Sequence, residues 1–312
     1  MESLRLSFEA ILPIFLLMAL GYVLKSIKMA EESTFNAINK LVFKVFLPVL
    51  LFYNVYTTES LEIFDFKLIG FTIISILVVF IIGYFIAMAI TKENPRRGVI
   101  LQGIYRSNFA ILGIPLVDYI CGDNVIGIAS MMVATIIPLF NILAVVALER
   151  FRDGKLHILK MLKGVITNPL IIGCGVGMVF LLLGIKMPKA IEKGVSDVAK
   201  IATPLAIITL GASFKFKSLK GYVKEVLVVT SAKLVIVPLI GISLGVMLGF
   251  RGEALACLLV IFGSPVAVSS FAMSQQMGGD ADLAALDVVI TSVACIFTLF
   301  LWIFALSFFG LF

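Results

Sequence analysis

Two segments of the sequence place polar side chains and helix-breaking residues inside apolar stretches. They are RSNFAILGIPL, residues 106–116, and GSPVAVSSFAMSQQ, residues 263–276. Glycine permits unusual backbone angles, and proline removes a hydrogen-bond donor and stops helix propagation, so each segment predicts a helix interrupted near its middle. Such a break exposes free backbone N–H groups and the positive end of a helix dipole, which together suit an anion.

The side chains at both breaks are of types that bind carboxylates. An arginine can hold a carboxylate through two parallel hydrogen bonds, and Arg106 lies two residues before Asn108. The predicted substrate-binding residues are Arg106, Ser107, Asn108, Gly113, Pro115, Gly263, Ser264, Pro265, Ser269 and Ser270. Two alternatives stay open, namely a simple proline kink covered by neighbouring helices and an Arg106 side chain that extends to the aqueous face beside Arg96 and Arg97.

The elements that must position these residues are transmembrane helices. The chain is 61% hydrophobic and 14% charged, with a mean hydropathy of +1.14, which excludes a soluble protein. Its apolar blocks match the ~20 residues that a helix needs to cross a bilayer, and they are apolar on every face, unlike barrel strands. We therefore predict an all-α integral membrane protein with ten spans, at residues 8–27, 36–56, 66–91, 98–119, 124–149, 164–185, 195–213, 222–249, 252–277 and 282–311.

The basic residues between the spans predict the orientation. Alternate loops hold fifteen Lys and Arg residues in one set and six in the other, so the first set is expected in the cytoplasm and both termini outside. The net charge of +6 is then mostly a topology signal, and no nucleic-acid partner is predicted. The expected location is the plasma (inner) membrane, with lipid around the protein.

Landmarks that recur half a chain apart predict an internal repeat. The pentapeptides KVFLP at residues 44–48 and KIATP at residues 200–204 are 156 positions apart, and the two breaks correspond at an offset of 157. Five spans per half is an odd number, so residues 156–312 must enter the membrane with the opposite topology to residues 1–155. Inverted repeats with matched broken helices are typical of secondary transporters.

The remaining ionisable groups predict neither an enzyme nor an ion antiporter. Lys44 and Lys200 lie at mirrored depths and are predicted to be gate or accessory residues. No metal or cofactor motif occurs, and GISLG at residues 241–245 lies in an uninterrupted apolar span without the context of a nucleophile elbow. The acids in or beside spans, Glu9, Asp118, Asp197 and Asp287, map toward span ends, which weakens a sodium/proton antiporter hypothesis.

Several motifs together resemble the auxin efflux carrier family, of the bile/arsenite/riboflavin transporter superfamily. They are R-x-N followed by G-x-P in RSNFAILGIPL, the FLP of residues 46–48, and GSP at residues 263–265 with its trailing MGGD. The resemblance covers essentially the whole chain, although the mid-chain loop of residues 151–163 is short and basic, unlike the long loop of plant members.

The resemblance implies a fold similar to that of sodium/proton antiporters and bile acid symporters, in which broken helices 4 and 9 cross. It also implies a scaffold of helices 1, 2, 6 and 7, a transport domain of helices 3–5 and 8–10, and a homodimer formed through the scaffold. Asn108 and Pro115, with the segment 264–270, would line the substrate site.

We thus predict a carrier of a small organic anion, such as malate, malonate or an auxin-like acid, that works by alternating access as the crossing helices move against the scaffold. Catalytic residues, a metal and a cofactor are not predicted. A sodium-coupled symporter of the bile acid type and an anion channel are the alternatives.

Overall fold

A computed structural model describes residues 2–58, 65–109, 116–117, 120, 126–152 and 158–311. These residues are helical, and they include one isolated antiparallel bridge. The helices are α1 (Glu2–Ser26), α2 (Glu32–Tyr56), α3 (Phe66–Ile90), α4 (Asn94–Tyr105), α5 (Ile126–Arg152), α6 (Ile158–Ile166), α7 (Pro169–Leu182), α8 (Lys189–Ser213), α9 (Val223–Met247), α10 (Gly252–Gly263), α11 (Ser269–Met277) and α12 (Ala281–Phe308), with a 3₁₀ helix at Phe216–Gly221 between α8 and α9.

Six helices in the described part of the chain are long and apolar enough to cross a membrane. They are α2, α3, α5 from Met131 onward, α8, α9 and α12. Shorter apolar helices are found at Leu12–Ser26, Pro169–Leu182 and Gly252–Gly263. The predicted all-helical membrane protein is therefore confirmed, and the count of ten spans stays a prediction.

Two long helices each contain one π-helical turn just ahead of a proline. In α2 the turn Val42–Phe46 precedes Pro48, and in α9 the turn Ala232–Ile236 precedes Pro238. Proline lacks an N–H and crowds the carbonyl four residues earlier, so a wider turn, closed by Leu47 N–H onto the carbonyl of Val42, lets the helix continue. Lys44 and Lys233 lie in these turns.

The predicted sixth and seventh spans begin elsewhere in the structure. The sixth was expected from residue 164, but a separate short helix, α6, ends at Ile166 and α7 begins at Pro169. The Asn168 side chain accepts a hydrogen bond of 2.9 Å from the Leu170 N–H, and proline suits a first helical position, so a new helix starts here. The predicted seventh span corresponds to α8, which begins at Lys189, six residues before the expected start at residue 195.

Glycines bring two pairs of helices into unusually close contact. A Cβ atom added at Gly21 of α1 would lie 1.9 Å from the Ile208 carbonyl oxygen of α8. One added at Gly177 of α7 would lie 2.7 Å from the Phe52 carbonyl oxygen of α2. Gly21 and Gly177 are 156 positions apart in the sequence, and so are Phe52 and Ile208. The contact of α1 with α8 therefore corresponds to that of α7 with α2.

Replacing Gly173 of α7 with alanine is expected to destabilise the protein by about 1–3 kcal/mol, because overpacking forces backbone shifts. The new methyl group would lie 2.3 Å from the Pro48 carbonyl oxygen. Gly175, on the same helix, has no atom within 4 Å of an added Cβ, so its alanine variant is the matched control. Thermal unfolding in detergent measures both, and equal melting temperatures would contradict the packing.

One end of the helix bundle is tied together by Arg96. Its guanidinium lies 3.0 Å from the Glu225 carboxylate and 3.6 Å from that of Asp280, and it stacks over the Tyr222 ring. The Tyr222 hydroxyl donates to Asp280 at 2.9 Å; partial burial and this hydrogen bond raise the pKa of Tyr222 to about 12. These contacts join the starts of α4, α9 and α12, and we call this the Arg96 end.

The opposite end joins a different set of chain segments. Lys67 Nζ, at the start of α3, donates to the Leu248 carbonyl at 2.7 Å, and Gly252 N–H donates to the Leu311 carbonyl at 2.9 Å. The loops that carry Arg96 and Tyr222 thus meet at one end, and those that carry Lys67 and Arg251 meet at the other. This is the separation on which the predicted orientation depends.

Candidate functional site

Both predicted helix breaks are present. Helix α4 ends at Tyr105, and Arg106 adopts an extended backbone with φ −81° and ψ 126°. Helix α10 ends at Gly263, and Ser264 is likewise extended, with φ −69° and ψ 155°. The two half-helices before the breaks each contain 12 residues. The chain therefore stops being helical at matching points in its two halves.

The two extended segments cross and pair with each other. Ser107 and Val266 form an antiparallel bridge, and the Asn108 N–H donates to the Pro265 carbonyl at 2.9 Å. The Val266 N–H donates to the Thr291 hydroxyl of α12 at 3.1 Å. Backbone groups freed by the breaks are thus satisfied inside the protein, as a bilayer requires, and the segments form a crossover rather than simple proline kinks.

Past the second break the chain turns helical again at Ser269, the first residue of α11. The segment from Ala267 to Ser269 borders a cavity, so the positive end of the α11 dipole lies beside that cavity. Gly113 and Pro115, the predicted counterparts after the first break, lie outside the described residues.

A cavity of ≈ 60 Å³ lies at the crossover. Its walls come from α2, α7 and α8 on one side and from the crossover, α5 and α11 on the other. The polar lining residues are Asn54, Arg106, Ser107, Asn108, Asn141, Thr203 and Ser269, and the apolar ones are Leu47, Leu50, Leu51, Ile137, Phe140, Leu170, Ala206, Ala267 and Val268. The size suits a few water molecules or a small organic ion.

Arg106 supplies the charge of this cavity, although only 3% of its surface is exposed. One guanidinium nitrogen, Nη2, donates to the Asn141 amide oxygen at 2.7 Å and to the Ser269 hydroxyl at 2.9 Å. The other, Nη1, donates to the Gln102 amide oxygen at 3.1 Å and to the Met273 sulfur at 2.8 Å. Every one of these acceptors is uncharged.

The partners of Arg106 are themselves held in place. The Asn141 amide nitrogen donates to the Ile137 carbonyl at 2.9 Å, and that of Gln102 donates to the Ser274 hydroxyl at 3.3 Å. These bonds orient both amide oxygens toward the guanidinium. Among the described residues, no carboxylate forms an ion pair with Arg106. Within the described part of the chain, the site therefore holds a buried positive charge without a counter-ion.

The alternative in which Arg106 extends to the aqueous face is not what the structure contains. Its guanidinium bonds to α5 and α11 at the crossover, whereas Arg96 bonds to Glu225 at the Arg96 end. Arg97 donates to the carbonyl of Thr91 at 2.8 Å. The three arginines thus belong to separate environments.

Asn108 offers a second donor to the cavity. Its amide nitrogen is buried and has no hydrogen-bond partner among the described residues. An unsatisfied buried donor is costly, so this amide is ready to bind an acceptor. The hydroxyls of Ser264 and Ser270 are also buried without a hydrogen-bond partner among the described residues, but these two serines do not line the cavity. Gly263 ends α10 at the break, and Pro265 contributes a backbone carbonyl to the crossover.

The two predicted gate residues lie away from the cavity. Lys44 and Lys200 are both exposed, on α2 and α8 respectively. Lys200 borders a separate surface cavity of ≈ 370 Å³ together with Tyr53 and Asp197. The structure does not bring either lysine to Arg106.

Four polar residues of the site were not predicted from the sequence. Asn54, Asn141 and Thr203 line the cavity, and Gln102 holds Arg106. Polar side chains within apolar spans were the available signal, because such residues usually face the interior of a helix bundle. The pattern could not show which of the many intramembrane polar residues converge on one point.

Lys233 has a role that its position in the sequence did not indicate. It is fully buried in the π-helical turn of α9, and its ammonium group donates to the carbonyls of Phe262 at 2.9 Å and Ile261 at 3.3 Å. These carbonyls belong to the last turn of α10, directly before the break. A cation at a helix C-terminus satisfies orphan carbonyls and interacts favourably with the helix dipole.

The acids and cysteines also have distinct environments. Asp197 is exposed and pairs with Lys193, whereas Asp287 is buried in α12, so the prediction from its place near a span end understated its burial. Asp118 and the side chain of Glu9 lie outside the described residues. Cys174, Cys257 and Cys295 are buried, and the described residues contain no cluster of three or more His, Cys, Asp or Glu side chains suited to a metal.

A helical membrane protein with a polar cavity at crossed broken helices has the form of a transporter. The chain belongs to the membrane transport protein family, whose sequence model matches residues 6–303, and this confirms the resemblance to auxin efflux carriers. The family and the names of its relatives identify a transporter rather than an enzyme.

Three relatives illustrate how widely the family is spread. An uncharacterized transporter of Methanothermobacter thermautotrophicus is 24% identical, over 95% of this chain and 97% of its own. One of Escherichia coli is 24% identical, over 94% of this chain and 96% of its own. A protein of Rhizobium meliloti with the name "Putative malonate transporter" is 24% identical, over 92% of both chains.

Proposed function

We propose that this protein is a secondary transporter of small organic anions, which bind at Arg106 in the crossover cavity. The observation that carries the proposal is a buried guanidinium whose hydrogen-bond partners, among the residues that the structure describes, are all uncharged. Burying an unpaired charge is expensive, and an anionic substrate would supply the missing partner. Arg106 and the free amide of Asn108 together offer donors to a carboxylate.

The size of the cavity favours a small mono- or dicarboxylate. A volume of ≈ 60 Å³ leaves little room for a large amphipathic acid in this conformation. The lining supplies polar groups around Arg106 together with apolar side chains such as Leu51 and Phe140, which suits a short carbon chain with a carboxylate at an end. The name of the Rhizobium meliloti relative fits the same substrate class.

The packing of the two halves supports an inverted repeat of five spans each and alternating access. The glycine contacts of α1 with α8 recur at an offset of 156 between α7 and α2, and the two broken half-helices are equal in length. In such repeats the two halves exchange conformations around one central site.

We propose that α1, α2, α7 and α8 form the scaffold and that the helices around the crossover form the moving transport domain. The cavity lies between these two groups, which places a substrate at their boundary. The groups also meet where Gln275 of α11 bonds to the amides of Asn36 and Asn39 of α2. A movement of one group past the other would have to break these amide contacts.

We further propose that the Arg96 end faces the cytoplasm of the cell (inner) membrane and that both termini lie outside. Two of the basic loops predicted on that side, those that carry Arg96 and Tyr222, are in contact at this end, which supports the proposal. A homodimer formed through the scaffold is proposed from the family resemblance alone.

The test is uptake by purified protein reconstituted into liposomes that contain unlabelled substrate, with radiolabelled malate, malonate and indole acetate as probes. We expect saturable exchange of at least one of the dicarboxylates, and its reduction in Asn108→Ala, which removes the free amide. Ser33→Ala, at an exposed position outside the cavity, is the control. Uptake that requires sodium would favour the symporter alternative, flux that does not saturate would favour a channel, and no flux of any carboxylate would contradict the proposal.

A further inference from the structure

Asp287 is a buried acid that the proposed anion site does not use. It lies in the second turn of α12 with 1% of its surface exposed, and neither carboxylate oxygen has a hydrogen-bond partner among the described residues. An ionised carboxylate in such a place would forgo both water and any compensating donor, which costs several kcal/mol or more. The neutral, protonated acid avoids most of this cost.

The neighbours of Asp287 do not compensate a negative charge. One carboxylate oxygen, Oδ2, lies 3.3 Å from an ideal Cβ position at Gly103, and the Val229 side chain touches the same position at 2.6 Å. Helix α4 can come this close to α12 only because residue 103 has no side chain. The carboxyl group therefore lies against the backbone of α4 and beside the methyl groups of Val229, at the junction of α4, α9 and α12.

The charged groups around this junction are distributed toward its two ends. Glu225 of α9 and Asp280 at the start of α12 act on Asp287 with negative charge, and both are paired with Arg96 of α4. Lys233 of α9 is engaged by the carbonyls of α10, and Arg106, directly after α4, by amides and a hydroxyl. The other ionisable residues with described side chains on the elements packed against α12 are Tyr22, Lys25, Arg97, Tyr105, Lys189, Glu192, Lys193, Asp197, Lys200, Lys224, Glu253 and Cys257. Helix α12 itself adds Asp282 and Cys295, and α11 has none.

Asp287 is also connected to the crossover through the backbone. The Thr291 hydroxyl, one turn further along α12, donates to the Asp287 carbonyl at 2.6 Å and accepts from the Val266 N–H of the crossover at 3.1 Å. Gly103, beneath the carboxyl group, is three residues before Arg106 in the same chain segment. Asp287 is thus linked to one strand of the crossover through the Thr291 hydroxyl, and it lies against the helix that leads into the other.

We propose that Asp287 is the proton-binding site of the transport cycle, so that the anion and a proton cross the membrane together. The inference rests on the proposed anion transport. Asp287 lies seven residues after Asp280, about 10 Å along the helix axis from the Arg96 end, which provides a short path to water when the helices rearrange. Each cycle takes one proton from the water on one side and releases it on the other, and no covalent bond to the substrate is made.

A proton fits this site better than a sodium ion does. Sodium is a hard cation that prefers a shell of several oxygen ligands, as other hard cations do. Among the described residues the Asp287 carboxylate has no hydrogen-bond partner and lies close to Gly103 and Val229, and no cluster of three or more His, Cys, Asp or Glu side chains is found there. The anion site and the proton site are therefore separate positions within the same group of helices.

The first test needs no substrate. Infrared difference spectroscopy of the reconstituted wild-type protein is expected to show the carbonyl stretch of a protonated carboxyl group at neutral pH. The band should be lost in Asp287→Asn, be shifted in Asp287→Glu, and persist in Asp197→Asn, which removes an exposed acid. If the wild type lacks the band, or if it persists unchanged in Asp287→Asn, the proposal is overturned. Absence of the band from the wild-type spectrum overturns the proposal without any variant, and the shifted band of Asp287→Glu assigns it to Asp287 if Asp287→Asn fails to fold.

The second test uses malonate as the probe in liposomes with an imposed pH gradient. Acid outside is expected to drive accumulation of malonate by the wild type, and Asp287→Asn is expected to lose this accumulation. Accumulation driven by sodium and lost in Asp287→Asn, or driven by acid equally in both proteins, would overturn the proton site. If the wild type moves no malonate at any pH, the proposed substrate class fails, and the infrared band alone then decides whether Asp287 binds a proton.

Discussion

Replacing Arg106 with glutamine is expected to weaken the binding and uptake of small carboxylates by roughly 30- to 1000-fold. The substitution removes the buried guanidinium that faces the cavity, and the loss of one partner of a buried charged pair costs about 2–4 kcal/mol, at about 1.4 kcal/mol per tenfold. Uptake of the radiolabelled carboxylate, measured over a range of concentrations, gives the change in apparent affinity.

The same variant is expected to keep or even increase its thermal stability without substrate. The acceptors that Arg106 leaves behind are the amides of Gln102 and Asn141, the Ser269 hydroxyl and the Met273 sulfur, and none is a carboxylate. Among the described residues no opposite charge is stranded, and the glutamine amide can donate to some of the same acceptors, so the removal of a buried charge offsets the hydrogen bonds that are lost. Lysine at this position keeps the charge but lacks the planar fork that reaches all four acceptors, so an intermediate affinity is expected.

Arg150 provides a matched control for the loss of a cation from a membrane helix. It lies on α5, donates to the Tyr84 hydroxyl at 3.0 Å, and is not among the residues around the cavity. Arg150→Gln should leave the apparent affinity for carboxylates within about twofold of the wild type. Equal losses of affinity in the two variants, or unaltered affinity in Arg106→Gln, would remove Arg106 from the binding site.

The sequence could predict the breaks because their causes are local. Proline removes a hydrogen-bond donor and glycine permits unusual backbone angles, and Pro265, two residues after Gly263, marked the second break to within a residue. Pro48 and Pro238, by contrast, lie in helices that continue after a π-helical turn. The position of Arg106 next to Asn108 was visible for the same reason. The matched spacing of 156 residues predicted which helices correspond, and the Gly21 and Gly177 contacts recur at that spacing.

The partners across the bundle could not be predicted, because they depend on how helices that are distant in sequence pack. Asn141 meets Arg106 from 35 residues away, and Lys233 meets Phe262 from 29 residues away. Asp287 lies early in its helix, where a carboxylate would normally reach water, yet α4 covers it at Gly103. The position of a residue along its span is therefore a poor guide to its burial when neighbouring helices cross close to the end of that span.

Replacing Lys233 with methionine is expected to lower the stability of the protein by about 1–3 kcal/mol. The Ile261 and Phe262 carbonyls would lose their donor in the last turn of α10, and each unsatisfied buried acceptor costs about 1–3 kcal/mol, offset in part by removal of the buried charge. The crossover begins two residues further along the chain. Its geometry should loosen, and we expect the maximal uptake rate to fall roughly 10- to 100-fold, as for a displacement of about 1 Å in a preorganised site.

Lys224 allows the effect of burial to be separated from that of capping. Like Lys233 it lies on α9, and it donates to the Ile90 carbonyl at the end of α3 at 3.3 Å. Because Lys224 is exposed, water can replace its ammonium group, and Lys224→Met should change stability by less than about 0.5 kcal/mol. Thermal unfolding without substrate then distinguishes the two buried cations, because Lys233→Met should melt earlier than the wild type and Arg106→Gln should not. If Arg106→Gln melted earlier than the wild type and Lys233→Met did not, Lys233 and not Arg106 would be the buried cation in need of an anion. The anion site would then have to be placed at Lys233.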